Sequence, residues 1–327
     1  MKRREFIAFV GSIAMVAPRP TFAQVPNKIY RVALVSPTGP VSESNPNAKL
    51  LLGALAALGY TVGNNLVFEG PRGTTAPTTR LPQLMQELKS TVDVIVTWGY
   101  PTALAAKVAG IPTVVAFGAG DPVATGLVDN LARPGSSVTG ISDVATALST
   151  KRLGLLKEML PTLRRVAMLW NKDDLGMSLR YDASAKSAEA MGVTVLAVGV
   201  REPDDFNEAF SMMDRDRPDA ILMVSDSLTM LNRERVFAYA AAHRLPAIYE
   251  YDPLVREGGL MSYGSDLRES FERAASLVDR IFKGASPGDL PFEQPTRYLF
   301  VVNLKTAKSI GLEIPATLLA LADDVVE

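Results

Sequence analysis

Cysteine is absent from the 327 residues, which excludes a thiol nucleophile, a disulfide framework, an iron–sulfur cluster and a thiolate zinc site. Histidine occurs once, as His243, so Ser-His-Asp catalysis or an imidazole-bound metal would rest on that side chain alone. It precedes Arg244-Leu245-Pro246 at a predicted helix end and reads as a structural residue. An excess of one charge is missing too: 34 Lys and Arg stand against 35 Asp and Glu. No field spread over the whole chain therefore attracts nucleic acid. The phosphate-cradling G-x-x-x-x-G-K-[ST] loop does not occur, and the first strand–helix turn, Ser36-Pro-Thr-Gly-Pro-Val41, lacks G-x-G-x-x-G, so no nucleotide cofactor is expected. Gly118-Ala-Gly120 is glycine-rich, but Asp121-Pro122 follows and is poorly suited to a pyrophosphate. Beyond the start of the chain, no uninterrupted apolar run reaches the roughly 18 residues of a membrane span.

What is present is an ordinary globular balance, 47% hydrophobic and 21% charged, in a chain long enough for two or three domains. Its first residues stand apart. Lys2, Arg3 and Arg4 precede an uncharged run from Phe6 to Ala17, and Thr21-Phe22-Ala23 closes it with small residues. This is the pattern of an export signal over residues 1–23, cut near Ala23. The run is about 18 Å long as a helix against roughly 30 Å of hydrocarbon, too short for an anchor. Arg3-Arg4-Glu5-Phe6-Ile7 is similar to a twin-arginine signal. Without a cysteine no lipid can be attached at the cut, and the expected location is periplasmic.

Along the rest of the chain short apolar runs alternate with helical patterns. Tyr30–Ser36 is a predicted strand, Asn47–Leu58 a helix stopped by Gly59, Thr61–Phe68 a strand and Thr79–Ser90 a helix. Asp93–Thr97 is the next strand, Gly99-Tyr100-Pro101 a turn, Thr102–Ala109 a helix and Pro112–Phe117 a strand. The rhythm restarts after a stretch rich in Pro, Gly, Ser and Thr, residues 133–149. Helices are predicted at Lys151–Leu160, Leu179–Met191, Pro203–Asp214 and Arg233–His243, with strands at Arg165–Trp170, Val193–Val198, Ala220–Val224 and Ala247–Tyr249. Leu260–Tyr263, Leu267–Phe282 and Tyr298–Ile310 close the series. Continuous rather than alternating apolar strands, each followed by a helix, indicate parallel sheets covered on both faces. Gly192-Val-Thr-Val195 echoes Gly59-Tyr-Thr-Val62, and two βα rounds of similar size predict an α/β protein of two doubly wound, Rossmann-like lobes.

In such sheets ligands bind outside the carboxyl ends of the strands, which in a two-lobed protein face a cleft. The first lobe offers Ser36, the series Gly99, Tyr100, Pro101 and Thr102, and Gly120-Asp121. Thr102 opens a predicted helix, so its hydroxyl and neighbouring N–H groups suit a carboxylate. The second lobe offers Asn171, Ser225-Asp226, Tyr249 and Tyr263. Asp226 or Asp121 suits an ammonium, and the tyrosines offer aromatic faces and hydroxyls. Taken singly, each of these residues is equally a cap or turn residue. Trp98 and Trp170 sit at strand ends, where core packing competes with ligand contact. Asp323-Asp324 reads as a solvated face.

Several segments carry a family resemblance: KRREFI (2–7), ALAALGY (54–60), VDVIVTWGYPTALAAK (92–107), GDPVATGLVDNLARPGSSVTGIS (120–142), KRLGLLKEMLP (151–161), GGLMSYGSDL (258–267) and QPTRYLFVVNLKTAKSIGL (294–312). Together they make the chain resemble the exported solute-binding proteins of ABC transporters, in the subfamily of the tryptophan-binding TrpX-like proteins. The resemblance implies a type I periplasmic-binding, Venus-flytrap fold of two lobes joined by three crossovers. It places residues 24–142 and 265–290 in the first lobe, and 143–264 and 291–327 in the second. It implies a monomer that closes on a small-molecule solute, often an aromatic or aliphatic amino acid, and delivers it to an ABC permease in the inner membrane, without catalysis, cofactor, metal or nucleic acid. The ligand-bearing loops correspond to Gly99–Thr102 and Gly120–Pro122, with Asn171, Asp226 and Tyr263 facing them. The first loop, PTGPVSESNPNAK (37–49), is richer in Pro and Ser than is usual in that family. Two other readings use the same cleft: an exported hydrolase working with Asp121 and Asp226, and a ligand sensor that docks to a membrane receptor.

Overall fold

The computed structural model describes residues 28–74, 78–142 and 144–327; the expected export segment, residues 1–23, lies outside them. β1 (Tyr30–Ser36) is buried from Val32 onward, as expected of a strand covered on both faces. α1 (Pro46–Ala57) starts where the Asn45 side chain accepts the N–H of Asn47 at 2.9 Å, with proline in the first turn, a pairing that satisfies one of the donors left over at a helix start. β2 (Leu66–Phe68), β3 (Arg72–Gly73), α2 (Leu81–Leu88), β4 (Val94–Trp98), α3 (Tyr100–Ala109), β5 (Thr113–Phe117) and β6 (Val138–Gly140) complete the round. The strands lie in the order β2-β1-β4-β5-β6, with β3 beside the end of β1, and every pair is parallel.

Two expectations change here. The strand expected over Thr61–Phe68 shrinks to β2. Thr61–Asn65 is a turn closed by the Asn65 carboxamide, which accepts the Thr61 N–H at 2.8 Å and donates to the Gly59 carbonyl at 2.9 Å. The helix expected to begin at Thr102 begins at Tyr100, because Gly99 takes φ +78° and turns the chain directly from β4 into α3. That conformation is open to glycine and strained for other residues.

The second round runs α4 (Ala145–Met159), β7 (Arg165–Asn171), α5 (Leu175–Ala190), β8 (Thr194–Val200), α6 (Asp205–Asp216), β9 (Ala220–Met223), α7 (Ser227–Leu231), α8 (Arg233–His243), β10 (Ala247–Tyr249), α9 (Asp252–Arg256) and β11 (Met261–Ser265). After α10 (Leu267–Phe282) come β12 (Tyr298–Asn303), α11 (Leu304–Ser309), α12 (Ala316–Leu321) and β13 (Asp324–Val326). The second sheet has the order β13-β12-β11-β10-β9-β7-β8, parallel except for the antiparallel β11–β12 pair. Among the described residues, then, there are two mostly parallel α/β lobes. The Asp323-Asp324 pair is structural rather than merely solvated: the Asp323 carboxylate accepts the Phe300 N–H at 2.7 Å, and Asp324 pairs with Arg256 at 2.6 Å.

The chain changes lobes by what each segment buries. α10 follows a strand of the second sheet, yet Phe271, Ala274, Val278 and Phe282 pack with Val32, Leu51 and Leu55 in the first lobe's core. Each large side chain so buried contributes about 1.5–3 kcal/mol, enough to seat the helix there. The chain then stays with the first lobe as far as Glu293, whose N–H donates to the Gly140 carbonyl at 2.8 Å. The return therefore falls a few residues beyond the boundary expected at 291. The two later crossovers run side by side: the Asp266 N–H donates to the Arg297 carbonyl at 3.0 Å, and Glu269 accepts the Arg297 N–H at 2.8 Å. No helix among the described residues is long and apolar enough to cross a membrane.

Candidate functional site

Between the carboxyl ends of the two sheets lies a cavity of about 330 Å³ with walls from both lobes. On the first lobe β4 and β5 end in Trp98 and Phe117, whose rings stack with centroids 5.6 Å apart and planes 10° apart. Tyr251, from the loop after β10 on the second lobe, meets Phe117 edge-on at 5.3 Å. The three rings form an apolar wall, the kind of surface that accepts another aromatic or aliphatic group. Beside it α3 begins without a side-chain cap, and its first-turn N–H groups have no acceptor within the helix. Gly99 and Pro101 line the cavity. Thr102 lies fully buried in that first turn, and its hydroxyl has no hydrogen-bond partner.

The opposite wall carries charge. β9 leads through Ser225 to Asp226, which caps α7. Its carboxylate accepts the Thr229 N–H at 2.8 Å, its own N–H donates to the Thr229 hydroxyl at 2.9 Å, and the Asn171 amide donates to it at 2.6 Å. Burial pushes the Asp226 carboxyl above the ordinary carboxylate range, against these donors. Asp174, 3% exposed, caps α5 by accepting the Met177 N–H at 3.2 Å. Its carboxyl is pushed up to about 7, first by burial and then by the Asp226 charge, with the Met177 N–H and Arg180 pulling the other way. Ser225 also faces the cavity, with its hydroxyl unpartnered. Beneath them Glu250 holds Arg180 at 2.6 Å and Arg152 at 3.1 Å and accepts the Ser225 N–H at 3.2 Å. This triad fixes the loop that presents Asp226. At the rim Arg233 is paired with Glu257. No group of three or more metal-ligating side chains occurs among the described residues.

The expected site residues divide accordingly. Gly99, Pro101 and Asp226 line the cavity. Thr102 and Asn171 stand one layer behind: Thr102 in the first turn of α3, Asn171 through its bond to Asp226. Ser36 is buried and shares a hydrogen bond of 2.8 Å with the Thr38 hydroxyl, and it is Thr38 that reaches the lining. Tyr100 turns away to the Thr125 carbonyl at 3.3 Å. Asp121 spends its carboxylate on the N–H groups of Val123 and Ala124, at 2.9 and 3.0 Å, in an exposed turn outside the lining. The Asp121–Asp226 carboxylate pair needed by a hydrolase is therefore not assembled in the cavity. Tyr249 is a correction: at 1% exposure it packs against Phe237 in the second lobe's core. Tyr263 is another, half-buried beside Tyr298 near the crossovers, with its carbonyl accepting the Arg152 guanidinium at 2.7 Å. The sequence reading missed Asp174, Phe117, Tyr251, Arg233 and Glu257. Trp98 faces the cavity, whereas Trp170 stacks on Tyr181 within the second lobe, centroids 3.7 Å apart.

The sequence profile of the ABC transporter substrate binding protein family matches residues 47–326. A tyrosine-binding protein of Clostridioides difficile is 24% identical over 262 residues, which is 80% of this chain and 75% of that protein. A conserved domain protein of Vibrio cholerae superposes with TM-score 0.82 at 25% identity, over 91% of this chain and all of that one. The ABC domain from Streptococcus pneumonia in complex with L-Trp superposes with TM-score 0.77 at 22% identity, over 90% of this chain and all of that one.

Proposed function

The chain belongs to the ABC transporter substrate binding proteins, with two lobes of the type I periplasmic-binding fold, and on that premise we propose that its cleft closes on one small amino acid with an aromatic or branched side chain, or a related carboxylate. The observation that carries this reading is the division of the cavity. A wall of three rings faces two buried carboxylates, and the uncapped start of α3 lies beside the rings. A zwitterion with an apolar side chain matches that division end for end: carboxylate at α3, ammonium at Asp226, side chain against Trp98, Phe117 and Tyr251. The tyrosine-binding and L-Trp-bound relatives support the same ligand class. Delivery to an ABC permease in the inner membrane, action as a monomer and export through residues 1–23 complete the proposal, the last supported by the basic, apolar and small-residue order of that segment.

The experiment is a thermal-shift panel of amino acids, aromatic carboxylates, branched acids, sugars and nucleosides, followed by calorimetry and a check for turnover. Binding to the native state alone stabilises by RT ln(1 + [L]/Kd), about 2.7 kcal/mol at a hundredfold excess over Kd. A shift confined to aromatic or branched amino acids, with the compound recovered intact, is expected. A shift with sugars alone, or conversion of the bound compound, sinks the reading.

A further inference from the structure

We propose that Asp174 is a ligand-binding residue that, with Asp226, forms a two-carboxylate pole taking the ligand's ammonium group and deciding between an amine and its deaminated counterpart. This rests on the reading of the cavity as an amino-acid site.

Among the described residues lining the cavity, the first lobe contributes no charge, and the one cation, Arg233, is engaged by Glu257 at the rim. Two carboxylates therefore face the enclosed space from the second lobe, 3% and 9% exposed, with no lining cation left for them. Arg180, whose charge bears on Asp174, already carries Glu250 at 2.6 Å. Buried negative charge is costly until a proton or a positive group neutralises it, so near neutral pH the pair favours a ligand that brings a positive group. The two carboxylates rise from adjacent parallel strands, Asp174 after β7 and Asp226 after β9. Asn171, at the end of β7, reaches across to Asp226 at 2.6 Å and holds the pair in register. The unpartnered Ser225 hydroxyl beside them supplies a further hydrogen-bond group to an ammonium. Asp174 lines the same enclosed space as Asp226, and burial pushes both carboxyls upward, so a cation brought between them would favour their ionised forms.

The test is calorimetry on the wild type, Asp174→Asn and Asp174→Ser with L-tyrosine, L-tryptophan, 3-(4-hydroxyphenyl)propionate and 3-indolepropionate. Asn and Ser both keep an acceptor for the Met177 N–H, so the α5 cap survives. The expected result is a loss of about 30-fold or more in affinity for whichever amino acid the wild type binds. Affinity for its deaminated counterpart should be unchanged or higher, so the gap between the two narrows. Wild-type affinity in both variants, or an equal loss for amino acid and deaminated acid, overturns the proposal while leaving the amino-acid reading intact. A wild type that binds neither these four compounds nor the branched amino acids and acids of the thermal-shift panel sinks that reading, and this proposal falls with it.

Discussion

Gly176, second residue of α5, and Gly120, in the loop after β5, face each other across the cleft so closely that a Cβ on Gly120 would stand 3.1 Å from the Gly176 Cα. A Cβ on Gly176 would meet the Ala119 carbonyl oxygen at 3.3 Å. Gly120 has φ +72°, which by itself favours glycine, but Gly176 has helical backbone and needs no glycine for its conformation. What it needs is room for the other lobe. Replacing Gly176 by Leu should leave the ligand-free protein as stable as before, or stabler by up to about 1 kcal/mol from better helix propensity. Closure should become harder by about 1–3 kcal/mol of overpacking. Calorimetry and small-angle scattering test this: the variant should bind its ligand more weakly and compact less on binding. Wild-type affinity with full compaction would show that the two glycines are not the closing contact.

The Arg152–Glu250–Arg180 triad makes a separate prediction about the floor of the site. Glu250 is 1% exposed and its two carboxylate oxygens pair with one guanidinium each, Arg152 at 3.1 Å and Arg180 at 2.6 Å. Glu250→Gln replaces the carboxylate shared by the two guanidiniums with a neutral amide, while Arg152 keeps its bond to the Tyr263 carbonyl, a loss of about 3–5 kcal/mol by analogy with other broken buried pairs. The chemical denaturation midpoint should fall accordingly. A change below about 1 kcal/mol would mean that the guanidiniums find other partners and that Glu250 does not organise the Ser225–Asp226 loop.

Most of the layered architecture was legible because it rests on periodicity. The expected helix Leu267–Phe282 coincides with α10, since an apolar stripe at helical spacing leaves little alternative. What was not legible depends on contacts that sequence spacing does not report. β6 is three residues long inside a Gly-, Ser- and Pro-rich stretch, and exists because Val138–Gly140 pair with Thr113–Val115. Tyr249 and Tyr251 look equivalent in sequence. All of β10 is buried in a sheet covered on both faces, while Tyr251, two residues on, clears the sheet edge and reaches Phe117. Asp173 and Asp174 are adjacent and chemically identical in sequence. Only the structure separates the exposed Asp173, 3.3 Å from Arg201, from the buried cap Asp174. A helix-capping aspartate just after a strand end was the available signal.

Thr102 offers a substitution in which stability and binding should part. Its hydroxyl is fully buried and has no hydrogen-bond partner, so the folded protein gains nothing from it without ligand. Thr102→Val should leave the unliganded melting temperature unchanged or raise it, because removal of an unpaired buried polar group is neutral or favourable. Because the hydroxyl stands one layer behind the cavity wall, its effect on a carboxylate-bearing ligand runs through the first turn of α3, and affinity should fall by about 1 kcal/mol. If melting temperature and affinity both fall, the hydroxyl is structural and the carboxylate end of the ligand lies elsewhere.

The pH dependence follows from Asp174, whose carboxyl is pushed up to about 7 against about 3.9 in an unfolded chain. Between roughly pH 4 and 7 the folded protein keeps a proton that the unfolded chain has released, so more protons are bound in the native state and stability falls as pH rises across that window. The contribution is fully present below about pH 4 and is lost through pH 7, at most about 1.4 kcal/mol per pH unit. Asp226 adds a slope of the same sign, since burial raises it too. Arg180 opposes the effect at Asp174, while Tyr100 across the cleft stays uncharged in this range, its own phenol raised by burial and by Asp174. An ammonium ligand reverses the trend, because it binds the ionised pair. The unliganded melting temperature should therefore drop from pH 5 to pH 7.5 while the ligand-induced shift grows over the same interval. In Asp174→Asn the drop should shrink and the growth flatten, leaving the residual slope of Asp226. Parallel melting curves for wild type and variant across this range would show that Asp174 does not titrate there.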